Sequence, residues 1–107
     1  MRPIRALAAL PILAVALLGA SPAPSAGARV RIAGFAFVPA TLTVTAGTRV
    51  TFVNDDEEPH TATAADGSFD SEALDLHQTW QHVFAVPGRY AYVCELHPHM
   101  KGTVIVR

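Results

Sequence analysis

From Val30 onward the apolar residues of this chain tend to fall on every second position, and no later stretch repeats convincingly at 3.6 residues. Val30 and Ile32 begin the pattern, Leu42 and Val44 continue it, and Val50 and Phe52 lead to Asn54. Trp80, His82 and Phe84 share one face, as do Tyr90, Tyr92 and Cys94, and then Val104 and Val106. Alternation of this kind is the mark of strands with one face buried. Turn signals separate the runs at Pro39, Ala46-Gly47, Asp55 to Pro59, Asp66-Gly67, Pro87-Gly88 and Gly102. Six to eight short strands with turns at this spacing predict an all-β domain, an antiparallel β-sandwich or small barrel. Asp70 to Gln78 could hold a helical turn and is read here as a loop.

The chain before this pattern has a different character. Arg2 and Arg5 precede an apolar run from Ala6 to Ala20, followed by small residues, Ser and Pro up to Ala28. That plan predicts a secretory signal peptide over residues 1–28, cleaved after Ala28 or after Ala20. A membrane anchor is the competing reading, but a 15-residue run with an internal Pro is short against the ~20 residues of a span. The leader has no cysteine to carry a lipid and no adjacent Arg pair, so export of the unfolded chain to a bacterial periplasm, or secretion, is expected. Residues 29–107 then form a single small domain. Six basic and nine acidic side chains leave it at −3 with His neutral, which excludes a nucleic-acid footprint.

A secreted domain this small is often stapled by disulfides, yet the chain has one cysteine. A leftover thiol is buried and inert, paired between chains, or coordinated to a metal. Its surroundings favour the metal. In Tyr92-Val93-Cys94-Glu95-Leu96-His97-Pro98-His99-Met100, Cys94, His97 and Met100 follow at steps of three, and Pro59-His60 supplies a second imidazole 34 residues upstream. Cys94 should end a strand, His97 and Met100 should lie in the loop after it, and His60 should follow the turn that closes the Val50–Asn54 strand. All four then converge at one end of the sandwich. Two His and one Cys in a trigonal plane with a weak axial Met form the ligand pattern of a type 1 (blue) copper centre, which transfers single electrons. Cys-x-x-His alone is weak, since zinc sites use it, but Met is a poor zinc ligand.

With those residues in view, the chain resembles the cupredoxins, and within them the amicyanin and plastocyanin-like group with the shortest ligand loop. The matching positions are Asn54, Pro59-His60, Pro87-Gly88 before Tyr90-x-Tyr92-x-Cys94, and His97-Pro98-x-Met100-x-Gly102, within a resemblance from Ile32 to Val106. The resemblance implies a Greek-key β-sandwich holding one copper ion and carrying one electron between periplasmic redox proteins, such as a c-type cytochrome, a dehydrogenase or a reductase. It implies transient partners, a monomer without a membrane anchor after cleavage, and His97 as the exit for the electron. Asn54, Pro59 and Pro98 would support the ligands, Asn54 by tying the first-ligand loop to the cysteine loop. Position 95 departs from the pattern, since Glu stands where a small or hydroxylic residue usually bonds Asn54. Against the same resemblance, the domain is also expected to lack the extra N-terminal strand of longer amicyanins.

Blander roles remain for several of these residues. His60 could be a surface turn residue and Met100 core filler. Alternation points His99 away from the metal. His77 and His82 are read as structural, the latter hydrogen-bonded at the edge of an apolar face. Asp55-Asp56-Glu57-Glu58 could dock a basic partner or be a solvated turn. An exported copper-binding, delivery or resistance protein using the same ligands is the alternative function, although methionine- and histidine-rich tails are absent. An enzyme is not expected, because neither a histidine at the start of the domain, nor further copper ligands, nor a base for Cys94 is in evidence.

Overall fold

The alternating runs become strands in a computed structural model that describes residues 27–107. They are β1 (Ala28–Ile32), β2 (Phe37–Val38), β3 (Thr41–Val44), β4 (Thr48–Asn54), β5 (Thr63–Ala64), β6 (Thr79–Phe84), β7 (Gly88–Cys94) and β8 (His97–Val106). Two four-stranded sheets result, ordered β2-β1-β4-β6 and β3-β8-β7-β5. Among the described residues there is no helix, and Asp70 to Gln78 is a loop crossed by single bridges, His60 to Leu74 and Thr63 to Asp70. The proposed leader lies outside the described residues, apart from Gly27 and Ala28, and Ala28 opens β1.

The expected β-sandwich is present, and its two sheets are mixed rather than antiparallel throughout. β1 runs parallel to β4, and β3 runs parallel to β8; the other pairs are antiparallel. The cause is connectivity. After the β1–β2 hairpin the chain crosses to the opposite sheet as β3 before returning as β4 beside β1, and such a crossover can bring a strand back in the same direction. Alternation registers which face is buried, not strand direction.

The core lies between the sheets. Val30, Ile32, Val50 and Phe52 from one meet Tyr92, Cys94, Val104 and Val106 from the other, all buried. Around Phe52 gathers an aromatic layer, with Phe69 stacked on Trp80 and tilted against His82, and Phe84 edge-on to Phe69, His82 and Tyr90. β4 is central in its sheet, and its last residues Phe52 to Asn54 are buried on both faces. The loop before β6 covers them: Asn54 N donates to the Gln78 carbonyl and His77 N to that of Asn54.

Two further placements differ from the sequence reading. Met100 and His97 do not sit in a loop before the last strand, because β8 already begins at His97. Glu95-Leu96 alone turns the chain, Cys94 opposes His97, and the next pair is Val93 with Lys101. Pro98, His99 and Met100 are thus extra residues in a bulge, which suits Pro98, since it has no N–H to give to the ladder. Gly102 is no turn either. It stands mid-strand opposite Tyr92, where a Cβ would collide with the tyrosine ring.

Candidate metal centre

The bulge and the β4–β5 connection meet at one end of the sandwich. Cys94, fully buried, continues the inward face of Tyr92 at the end of β7. His60 is fully buried too and is fixed by a two-way backbone bridge with Leu74, His60 N to Leu74 O at 3.1 Å and Leu74 N to His60 O at 2.8 Å. The Cys94 sulfur lies 3.7 Å from Nδ1 of His60 and 3.7 Å from Nδ1 of His97. The three donor atoms all fall within 4.8 Å of one another. Donors about 2.0–2.3 Å from a common ion in a trigonal plane stand about 3.5–4 Å apart, and both sulfur–nitrogen separations fall in that range. Met100 is buried in the same core cluster as Cys94, in the bulge that brings in His97. A thiolate, two imidazoles and a nearby thioether are a donor set suited to copper.

A model of the cupredoxin-like domain matches residues 6–106. The chain belongs to the cupredoxin-like family. It is 34% identical over 100 residues to an amicyanin-alpha of Methylorubrum extorquens, covering 89% of this chain and 84% of that protein. Among solved structures it is similar to a purple cupredoxin from Nitrosopumilus maritimus, with a TM-score of 0.70, 30% identity, and coverage of 76% of this chain and all of that one. A copper-containing nitrite reductase from Thermus scotoductus matches at a TM-score of 0.71 and 31% identity over 81% of this chain, which spans only 23% of the reductase chain.

Hydrogen bonds lock the cupredoxin ligands in place. Thr61 N donates to the Cys94 sulfur at 3.3 Å, fixing the sulfur's position. Thr61 Oγ1 accepts from Glu95 N at 2.9 Å and meets the Thr63 hydroxyl at 2.9 Å. Thr61 therefore joins the first-ligand segment to the cysteine turn, the role expected of Asn54. Asn54 ties its own turn to the loop before β6: its Nδ2 donates to the carbonyls of Glu58 and Leu74, and its Oδ1 accepts from Asp56 N. It braces the turn from Asp55 to Pro59 that leads into His60, and its Nδ2 shares the Leu74 carbonyl with His60 N. Glu95 is exposed and its carboxylate touches the Thr63 hydroxyl at 3.4 Å instead of Asn54.

The acidic run divides into two working pairs. Asp55 binds Arg31 at 2.8 Å. Asp56 accepts from the backbone N–H of Gly34 and of Phe35 and lies 2.9 Å from His60 Nε2. Partial burial pushes the Asp56 carboxyl up, but the N–H groups of Phe35 and Gly34 and the His60 ring outweigh it and hold its pKa below the ordinary carboxylate value. Glu57 and Glu58 remain exposed.

Phe35 lies edge-on against both His60 and His97, with ring centroids 4.9 and 5.0 Å away. His97 is half-buried, so of the two imidazoles it is the one that reaches solvent. Pro59 is half-buried before His60, and Pro98 is exposed in the bulge. His99 is exposed, its ring 6.4 Å from that of His97. His77 is 77% exposed beside Asp55, and His82 lies among Phe69, Trp80 and Phe84. None of these three joins the donor cluster found among the described residues. Sequence reasoning missed Asp56, Thr61 and Phe35 as parts of the site. Thr61 could have been suspected, since it directly follows His60.

Proposed function

We propose that His60, Cys94, His97 and Met100 would hold a single type 1 copper ion, and that the protein is a one-electron carrier rather than an enzyme. Bound copper supplies the Cu(II)/Cu(I) couple. The chain's own part is to hold the donors still between the two oxidation states. The observation that carries this reading is the approach of both imidazole Nδ1 atoms to one buried sulfur, at 3.7 Å each. Thr61, Asn54 and the Leu74 bridge resist the change of shape each oxidation state would prefer. His97 then serves as the route outward to a transient redox partner, such as a c-type cytochrome, a dehydrogenase or a reductase.

A buried and braced Cys94 and His60 favour retention of the ion over its delivery, which weighs against a copper-handling role. The sequence of the leader supports export to the periplasm or secretion. Of the two cleavage sites, the one after Ala20 leaves β1 whole, because Ala28 is its first residue and pairs with Val50. The test is the visible and paramagnetic resonance spectrum of the Cu(II)-loaded protein beside Cys94→Ser. The carrier reading expects an intense thiolate-to-copper band with narrow hyperfine splitting, abolished in the variant. An ordinary tetragonal copper spectrum unchanged by the substitution overturns it.

A further inference from the structure

We propose that Asp56 is a positioning residue, one carboxylate that clamps the His60 ring to an aromatic cover formed by Phe35. The inference rests on the copper reading above and concerns how the first ligand is tuned.

Three contacts meet on this carboxylate. His60 Nε2 lies 2.9 Å from Oδ2, Phe35 N donates to the same oxygen at 2.9 Å, and Gly34 N donates to Oδ1 at 2.8 Å. A carboxylate only accepts, so the ring's proton sits on Nε2 and its lone pair on Nδ1 faces the Cys94 sulfur. The clamp thus selects the tautomer that can bind metal. Hydrogen bonding to a carboxylate also makes the ring a stronger donor. A stronger nitrogen donor favours Cu(II) over Cu(I) and lowers the potential.

The second arm explains an unusual backbone. Phe35 has φ of 58°, a region that bulky residues rarely enter. Ala33 N to Ala36 O closes the turn at 3.0 Å, and Asp56 occupies the two N–H groups inside it. Held this way, Phe35 lies edge-on across His60 and His97 while remaining 41% exposed itself. It covers both imidazoles, and the carboxylate that orients the covered His60 also orients the cover.

The test begins with metal-free protein, where a long-range proton–nitrogen spectrum should show His60 protonated on Nε2. Protonation on Nδ1 overturns the clamp, whether or not any variant folds. Asp56→Asn should then speed amide hydrogen exchange at Gly34 and Phe35 and reduce the Cu(II)-to-Cu(I) affinity ratio about tenfold, a rise in potential of about 60 mV. Glu57→Gln removes the same charge from a neighbouring exposed position and should move the potential less and the exchange not at all. Equal potential shifts in the two variants, or unchanged exchange at Phe35 in Asp56→Asn, overturn the proposal. A loaded wild-type protein without the thiolate band defeats the copper reading instead, and the tautomer and exchange results still decide the clamp.

Discussion

The two parts of this small core are held together by different physics. Around His60 the buried groups are polar: Asn54, Thr61 and Ser71 are buried beside the ligand, each hydrogen-bonded. Around Phe69 there are rings, with buried Phe84 and Tyr92 and half-buried Trp80 and His82 packed at angles from 14° to 83°. Hydrogen bonds are directional and fix positions; burial of apolar surface is non-directional and contributes about 25 cal/mol per Å². One region therefore sets geometry, while the other contributes through apolar burial. The boundary between them is Tyr92, whose hydroxyl is buried with no hydrogen-bond partner among the described residues and whose pKa burial drives far above its ordinary value.

Damage at that boundary should separate stability from spectrum. Gly102→Ala places a methyl against the buried Tyr92 ring on the paired strand, so ring or backbone must shift. Overpacking of this kind costs about 1–3 kcal/mol, so the denaturant midpoint of metal-free protein should fall while the copper band keeps its wavelength. A shifted band would show that the two regions are one mechanical unit.

Thr61→Val reverses the emphasis. It removes the oxygen that accepts from Glu95 N but keeps the N–H that meets the Cys94 sulfur. The lost bond costs about 1 kcal/mol, yet the sulfur's neighbour is no longer tied, so the band and hyperfine splitting should change measurably. Unmoved spectra would place the rigidity elsewhere. Smaller again is Tyr92→Phe, which deletes an unpaired buried hydroxyl and should leave stability level or raise it by up to about 1 kcal/mol. A clear loss in a melting experiment would mean that the hydroxyl has a partner, such as a buried water.

The same contrast governs what the sequence revealed. Three donors fall within seven residues, Cys94 to Met100, and the alternation of Tyr90, Tyr92 and Cys94 marks the inward face, so that half of the site is local and readable. The alternation also exposed both sheets' buried faces. Strand direction was invisible to it, because β1 beside β4 and β1 beside β2 bury the same residues either way. Gly102 read as punctuation because a glycine that turns the chain and one that makes room for a ring look alike. The hydrogen-bonded support was least readable. Asp56 reaches Gly34 across 22 positions and Thr61 reaches Cys94 across 33, and nothing in the local sequence of either residue encodes its partner.

The smallest expected effect tests whether the aromatic region is as dry as its packing implies. His82 is surrounded by the rings of Phe69, Trp80 and Phe84, and desolvation lowers its pKa from the ordinary 6.5. Below 6.5 the unfolded chain takes up a proton at this position before the folded one does. Stability from the neutral ring is therefore complete above about pH 6.5 and is lost as the pH falls toward the lowered folded value, after which it levels off. His82→Phe keeps a ring in the stack and removes the proton site. Melting temperatures of the metal-free pair should run parallel above neutrality and diverge below it, with the wild type falling faster; because the other histidines are common to both proteins, the difference isolates His82. Curves that stay parallel through pH 5 would mean that desolvation at this half-buried ring is too weak to separate its folded and unfolded protonation.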